Sequence, residues 1–216
     1  MSGEVTDYMS GTRRRLLVLL AGVTLLVVGG VFVAIAVARP GTGGVPPSQT
    51  RNGNVTVDRQ TSSIRGTIRG NLTVLNHATV TLTGHVTGWL HAYGTSSVTI
   101  GRAARVDGGV LQSTGTLEVQ PGAWVGTGLD TYTLSRQMDL GGDLAGQARI
   151  SASGLMLGPQ AHVAGDLSVW ASPAQVVRVD GTVDGSVRVS GTDLHLGPTS
   201  HIGGSTSVYS GKVTHG

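Results

Sequence analysis

The stretch Leu155 to Val169, Leu-Met-Leu-Gly-Pro-Gln-Ala-His-Val-Ala-Gly-Asp-Leu-Ser-Val, constrains the fold more than anything else in the chain, because versions of it recur from Ile64 to Val208. Leu155, Leu157, Val163, Leu167 and Val169 stand at even offsets, so pleated strands would point them all to one side. Gly158-Pro159 and Gly165-Asp166 sit where the chain must turn. One copy is too short to bury its own apolar face, whereas stacked copies bury a continuous core. Repetition therefore specifies the fold, and the expected architecture is a solenoid.

The copies align on an apolar anchor at Ile64, Leu82, Ile100, Val119, Leu140, Leu157, Val179 and Leu196, spaced 18, 18, 19, 21, 17, 22 and 17 residues apart. Two forms are present. In the long form the next core residue follows six later, as in Ile100 to Val106, Val119 to Val125, Leu157 to Val163 and Leu196 to Ile202. In the short form it follows four later through a glycine, as in Ile64 to Ile68, Leu82 to Val86, Leu140 to Leu144 and Val179 to Val183. Most copies leave through Gly and a small or polar residue, such as Gly70-Asn71 or Gly204-Ser205; Trp89 after Gly88 breaks that rule.

A period near 18 to 20 predicts an all-β, single-stack parallel β-helix with three short strands per turn and about eight turns. Right-handed coiling is the expectation from the strong preference of parallel crossover connections, with hexapeptide solenoids as the known left-handed exception. Composition agrees: the chain is rich in Gly, with 35, which suits a fold of many corners, and a single Phe leaves Val, Leu and Ile to fill thin layers. The β-helix is expected over 55–210, with a short tail at 211–216, and its two ends near Ile64 to Val74 and Leu194 to Val208 are expected to lie open.

The N-terminal part is of a different kind. Residues 1–15 are polar and end in Arg13, Arg14 and Arg15; residues 16–38 carry no charge, and as a helix they would be roughly 34 Å long, enough to span a bilayer. A cleavable signal peptide is the alternative, since Ala36-Val37-Ala38 has the small-x-small form. Arg39 follows, and residues 39–54, rich in Pro and Gly, read as a linker. Three Arg before the span against Arg39 and Arg51 after it favour a cytoplasmic N-terminus and an extracytoplasmic β-helix, with a cytoplasmic β-helix as the alternative.

Several function classes are disfavoured. The sequence pI near 9.8 suggests nucleic acid, but beyond Pro40 eleven basic residues face ten acidic ones and no basic run occurs, so no nucleic-acid partner is expected. Without cysteine there is no thiolate chemistry. His77, His85, His91, His162, His195, His201 and His215 are read as solvated side chains at polar or corner positions, with His85 and His91 kept as the two open candidates for chemistry. Asp107, Asp143, Asp166 and Asp184 recur beside corner glycines, where a carboxylate satisfies local backbone donors. Gly204 to Lys212 lacks phosphate-loop spacing, with Val213 where Ser or Thr is needed, and no Gly-x-Ser-x-Gly or His-Glu-x-x-His occurs. Neither catalytic, cofactor nor metal residues are assigned.

The motif Leu-Gly-Pro-x-Ala/Ser-x-Val/Ile-x-Gly at Leu157 to Gly165 and Leu196 to Gly204, with the degenerate turns between, resembles the bactofilins, bacterial polymer-forming proteins built on a right-handed β-helix. The resemblance implies end-to-end assembly of rods into a membrane-associated scaffold without catalysis. This chain departs from the simplest members in its long apolar N-terminal segment and in irregular turns around Gly126 to Met138. The expected function is a membrane-anchored structural protein whose partner is a second copy of itself. The core and assembly residues are Ile64, Ile68, Leu82, Val86, Ile100, Val106, Val119, Val125, Leu157, Val163, Leu167, Val179, Val183, Leu196 and Ile202. The alternatives are a surface-exposed β-helix that binds cell-wall or other polysaccharide, and a hexapeptide-type acyltransferase, which the four-residue steps disfavour.

Overall fold

All eight sequence anchors fall into one register. In the computed structural model, which describes residues 44–216, Ile64, Leu82, Ile100, Val119, Leu140, Leu157, Val179 and Leu196 stack directly over one another along a single parallel sheet. The proposed span 16–38, its flanking Arg13, Arg14, Arg15 and Arg39, and the cleavage alternative lie outside the described residues. Among the described residues no helix is long and apolar enough to cross a membrane.

The chain winds through three parallel nine-stranded sheets, one strand of each per turn. Sheet one runs from Thr50–Asn52 to His201–Ile202, sheet two from Val55–Asp58 to Thr206–Tyr209, and sheet three from Thr61–Ile64 to Val213–His215. Nine turns replace the eight expected, because both ends extend. Thr50–Asn52 was expected to be linker and forms the first strand of sheet one; Val213–His215 was expected to be tail and forms the last strand of sheet three. Eight spacings of about 4.8 Å make the stack roughly 38 Å long.

The two spacings converge on a second register. Ile68, Val86, Val106, Val125, Leu144, Val163, Val183 and Ile202 stack in sheet one, whether reached in four residues or six. In the long form the two extra residues loop out as a β-turn: Ala104 N donates to Gly101 O at 3.0 Å, Ala123 N to Gln120 O at 3.1 Å and Ala161 N to Gly158 O at 3.0 Å. The alanine closing each turn is buried. In the short form the chain cuts across the corner so closely that only glycine fits. A Cβ on Gly84 would stand 2.1 Å from Gly66 O, and one on Gly181 would stand 2.4 Å from Ala161 O.

Sheet two completes the interior. Leu167 is buried between Ala148 and Val187, and Val169 lies between Ile150 and Val189. Two polar residues interrupt that second register, where Gln112 and Thr131 sit between Ala92 and Ile150. Gln112 is fully buried, and its Nε2 donates to the carbonyls of Ser96 at 3.1 Å and Thr114 at 2.5 Å. Thr131 Oγ1 accepts from Ser151 N at 3.0 Å. The Gln112 bonds hold the corners at Ser96 and Thr114. The irregular corner after Thr131, Tyr132 to Gln137, is held by Leu134 N donating to Ser151 O at 2.9 Å and Ser135 N to Gly115 O at 3.2 Å, and Leu134 folds back into the core and bridges Gly115. Trp89 also finds its reason: its indole lies over the next turn's corner, where a Cβ on Gly109 would meet the ring at 2.5 Å.

Candidate functional site

Side chains that could carry chemistry stand on the outer faces, paired between neighbouring turns. His85 Nε2 lies 2.8 Å from Asp107 Oδ2, and Arg105 Nε donates to Asp107 Oδ1 at 2.6 Å while its guanidinium covers the Trp124 ring at 3.9 Å. Burial pushes the Asp107 carboxyl up, but the bonds from Arg105 and His85 outweigh it and the group sits below its ordinary value. The same 22-residue step recurs at His162 and Asp184, 2.9 Å apart. His77 Nδ1 meets Thr95 Oγ1 at 2.6 Å and His195 Nδ1 meets Thr214 Oγ1 at 3.1 Å. His91 is packed between Trp89 and Tyr93, with ring centroids 5.9 and 6.2 Å away.

The His85–Asp107, His162–Asp184, His77–Thr95, His195–Thr214 and Arg105–Trp124 contacts span adjacent turns and tie them together, as cross-strand pairs do in any parallel sheet, whereas Arg105–Asp107 and the Trp89–His91–Tyr93 row lie within one turn. Among the described residues no cluster of three or more His, Cys, Asp or Glu has the geometry to hold a metal ion. The two His kept open are therefore placed apart: His85 in an ion pair on sheet one, His91 in an aromatic row on sheet two.

The corner carboxylates divide into two kinds. Asp166 Oδ1 accepts from Ser186 N one turn on at 2.8 Å, and Oδ2 accepts from Arg188 at 2.8 Å; these two bonds hold its carboxyl below the ordinary value. Asn71 does the same without charge, its Oδ1 accepting from Trp89 N at 2.8 Å. Asp107 and Asp184 take side-chain partners instead, and Asp166 serves a backbone donor of the next turn rather than the local one expected.

The two ends of the stack differ, and sequence reasoning placed the first one wrongly. Ile68, Leu72 and Val74 are fully buried because a whole turn precedes them, and Ile64, which closes that first turn, is buried beneath Val45. That first turn is blunted. Val45, itself buried, bridges Ile64, and its carbonyl accepts from Arg65 N at 2.7 Å and Gly66 N at 3.0 Å. Arg51 occupies the inward register above Ile68, where every later turn has an apolar residue. A charge in that place opposes the docking of a further strand layer.

At the other end the ninth turn puts Ile202 over Val183, Val208 over Val189 and Val213 over Leu194. Val213 is 39% exposed, and Ile202 and Val208 are only partly covered, whereas their partners one turn back are buried. Among the described residues nothing pairs with the outer edges of these last strands. Leu196 lies one turn further in and is buried, with His215 above it. The signal for Val213 was present in the sequence, since it stands 19 residues after Leu194, one repeat on. The same step carries Leu196 to His215, and a histidine at an anchor position hid the ninth copy. Compared with protein-family models, with curated proteins and with solved structures, the chain has no match.

Proposed function

We propose that the rod self-associates through the face of its ninth turn and that the protein is a membrane-anchored structural scaffold of the bactofilin kind. The observation that supports this reading is the uncovered layer of Ile202, Val208 and Val213, rimmed by strand edges with free backbone donors and acceptors. Such an edge is a template for another chain, and joining two of them removes the apolar layer from water. The blunted first turn makes the association tail to tail, with right-handed coiling of the turns and residues 16–38 as the bilayer anchor.

The test is sedimentation of the full chain in detergent micelles, wild type beside Ile202→Lys, with circular dichroism as the folding control. The added ammonium must be desolvated at the junction, so the variant is expected to remain folded and to shift to single rods. Association unchanged in a folded Ile202→Lys protein would remove the ninth turn from the interface.

A further inference from the structure

The described residues contain six aromatic side chains of Trp and Tyr, and none of them fills the core. Four of them stand in one line. On the outer face of sheet two, one residue beyond the buried register that holds Ala92, Gln112 and Ile150, successive turns present Tyr93, Ser113, Tyr132, Ser151, Trp170, Ser190 and Tyr209. The backbone fixes this order: Tyr93 N donates to Val74 O, Ser113 N to Ala92 O and Tyr132 N to Gln112 O, at 2.9, 2.9 and 2.8 Å. Ser151, Trp170, Ser190 and Tyr209 are then paired directly in register.

Aromatic and serine alternate through seven consecutive turns. The rings are 39%, 55%, 52% and 64% exposed for Tyr93, Tyr132, Trp170 and Tyr209. Aromatic residues suit strand faces, and stability would favour placing them in adjacent turns where rings pack on each other. Here a serine separates each ring from the next in the column, so the rings gain no packing on one another; Tyr93 has its only ring neighbour among the described residues, His91, along its own turn. The rungs are two strand spacings apart, about 9.6 Å, and the four span about 29 Å along the rod. Beside the third rung lies an open hollow of about 400 Å³, lined by Trp170 and by Thr133, Ser135, Ser151, Ser153 and Ser172 along with apolar corner residues. None of the seven residues in the column is charged.

These features define an occupant: an uncharged, extended polymer of flat units with an apolar face and hydroxyl edges, repeating every second unit. An extended β-1,4-linked pyranose chain has this form. Each ring is flipped relative to the last, so the same C–H face recurs at every second ring, and one ring advances the chain by about one strand spacing. Alternate rings then stack on the aromatic rungs while the rings between them meet serine hydroxyls.

We propose that the column Tyr93, Tyr132, Trp170, Tyr209 is a binding site for a linear β-1,4-linked glycan lying along the rod axis. The site is distinct from the ninth-turn face and does not depend on self-association. The test uses the full chain in detergent micelles, titrated with cellohexaose, with the β-1,4-linked hexamer of N-acetylglucosamine and with α-1,4-linked maltohexaose, read by calorimetry and tryptophan fluorescence. At least one β-linked hexamer is expected to bind, its trimer about tenfold more weakly, and the coiled α-linked chain not at all. The two β-linked arms distinguish a plain glucan from an amino-sugar polymer.

Trp170→Ala and Tyr132→Ala are each expected to weaken hexamer binding roughly tenfold with melting unchanged, since both side chains are half exposed. The exchange Tyr132→Ser with Ser151→Tyr keeps composition but breaks the two-turn spacing, and is expected to weaken binding as much. Ile202→Lys is expected to bind as wild type does. Failure of wild type to bind either β-linked hexamer, equal binding of the α-linked chain, or full binding by the exchanged variant would overturn the proposal. Loss of lateral self-association in Trp170→Ala, without glycan binding by wild type, would assign the ladder to a second copy of this chain and overturn it equally.

Discussion

Gly84→Ala adds a single methyl group to a corner that has no room for it. The new Cβ would stand 2.1 Å from Gly66 O and 2.6 Å from Arg65 C, both backbone atoms of the preceding turn. The corner must open by roughly 1 Å to reach the closest contact real Cβ atoms make. Opening it stretches two inter-turn bonds, Gly84 N to Ile64 O and His85 N to Gly66 O, both 3.0 Å. Each is worth about 1 kcal/mol, and the overpacking beside buried Leu82 and Val86 adds about 1 kcal/mol or more, for a loss near 3 kcal/mol. Gly158→Ala is the matched control from the long-form corner. Its Cβ would have only Gly141 Cα and Leu140 O near it, at 3.7 Å, and the substitution is expected to be neutral or to stabilise by up to about 1 kcal/mol by narrowing the unfolded ensemble. Urea unfolding followed by circular dichroism reads both. Equal midpoints for the two variants would refute the account of why four-residue steps require glycine.

Val163→Asp places a carboxylate between Leu144 and Val183 with no partner, and is expected to cost about 4 kcal/mol or more, whereas Gln160→Asp on the exposed corner should stay within about 0.5 kcal/mol of wild type. Similar melting curves for the two would show that inside and outside are misassigned. Asp166 has a carboxyl held below its ordinary value of 3.8 by Ser186 N and Arg188, so its contribution is present above that value and is lost as pH falls through the lower folded-state value. Asp166→Asn keeps an oxygen acceptor for Ser186 N and removes the charge. Its melting temperature is expected to lie below that of wild type near neutrality and to converge with it on acidification to about pH 2, and a gap that stays constant with pH would deny Asp166 that role.

Repeat spacing made the interior legible before any coordinates. The apolar anchors and their partners four or six residues on are the two registers along the stack, because a parallel solenoid forces equivalent residues of successive turns into contact. The ends were less legible. Arg51 and His215 occupy inward registers with residues no apolar pattern selects, so the first strand of sheet one reads as linker and the last strand of sheet three as tail. Terminal layers face water on one side and are released from the pattern that identifies the rest. Gln112 was hidden for a related reason, since its buried Nε2 donates to corner carbonyls whose path only the folded chain defines, while its Oε1 has no partner among the described residues.

The sequence by itself determined the period, the strand direction and which residues point inward, since these follow from local spacing and the two-residue alternation of a strand. Only the tertiary structure decided what faces outward together. Tyr93, Tyr132, Trp170 and Tyr209 are separated by 39, 38 and 39 residues, and a separation of two turns acquires meaning only once corner insertions of unequal length have been absorbed and the turns are stacked. The same stacking decides that His85 meets Asp107 and that Ile202, Val208 and Val213 form one layer. Contacts between turns depend on the summed lengths of every corner between them, and those lengths are resolved by packing rather than by any one residue.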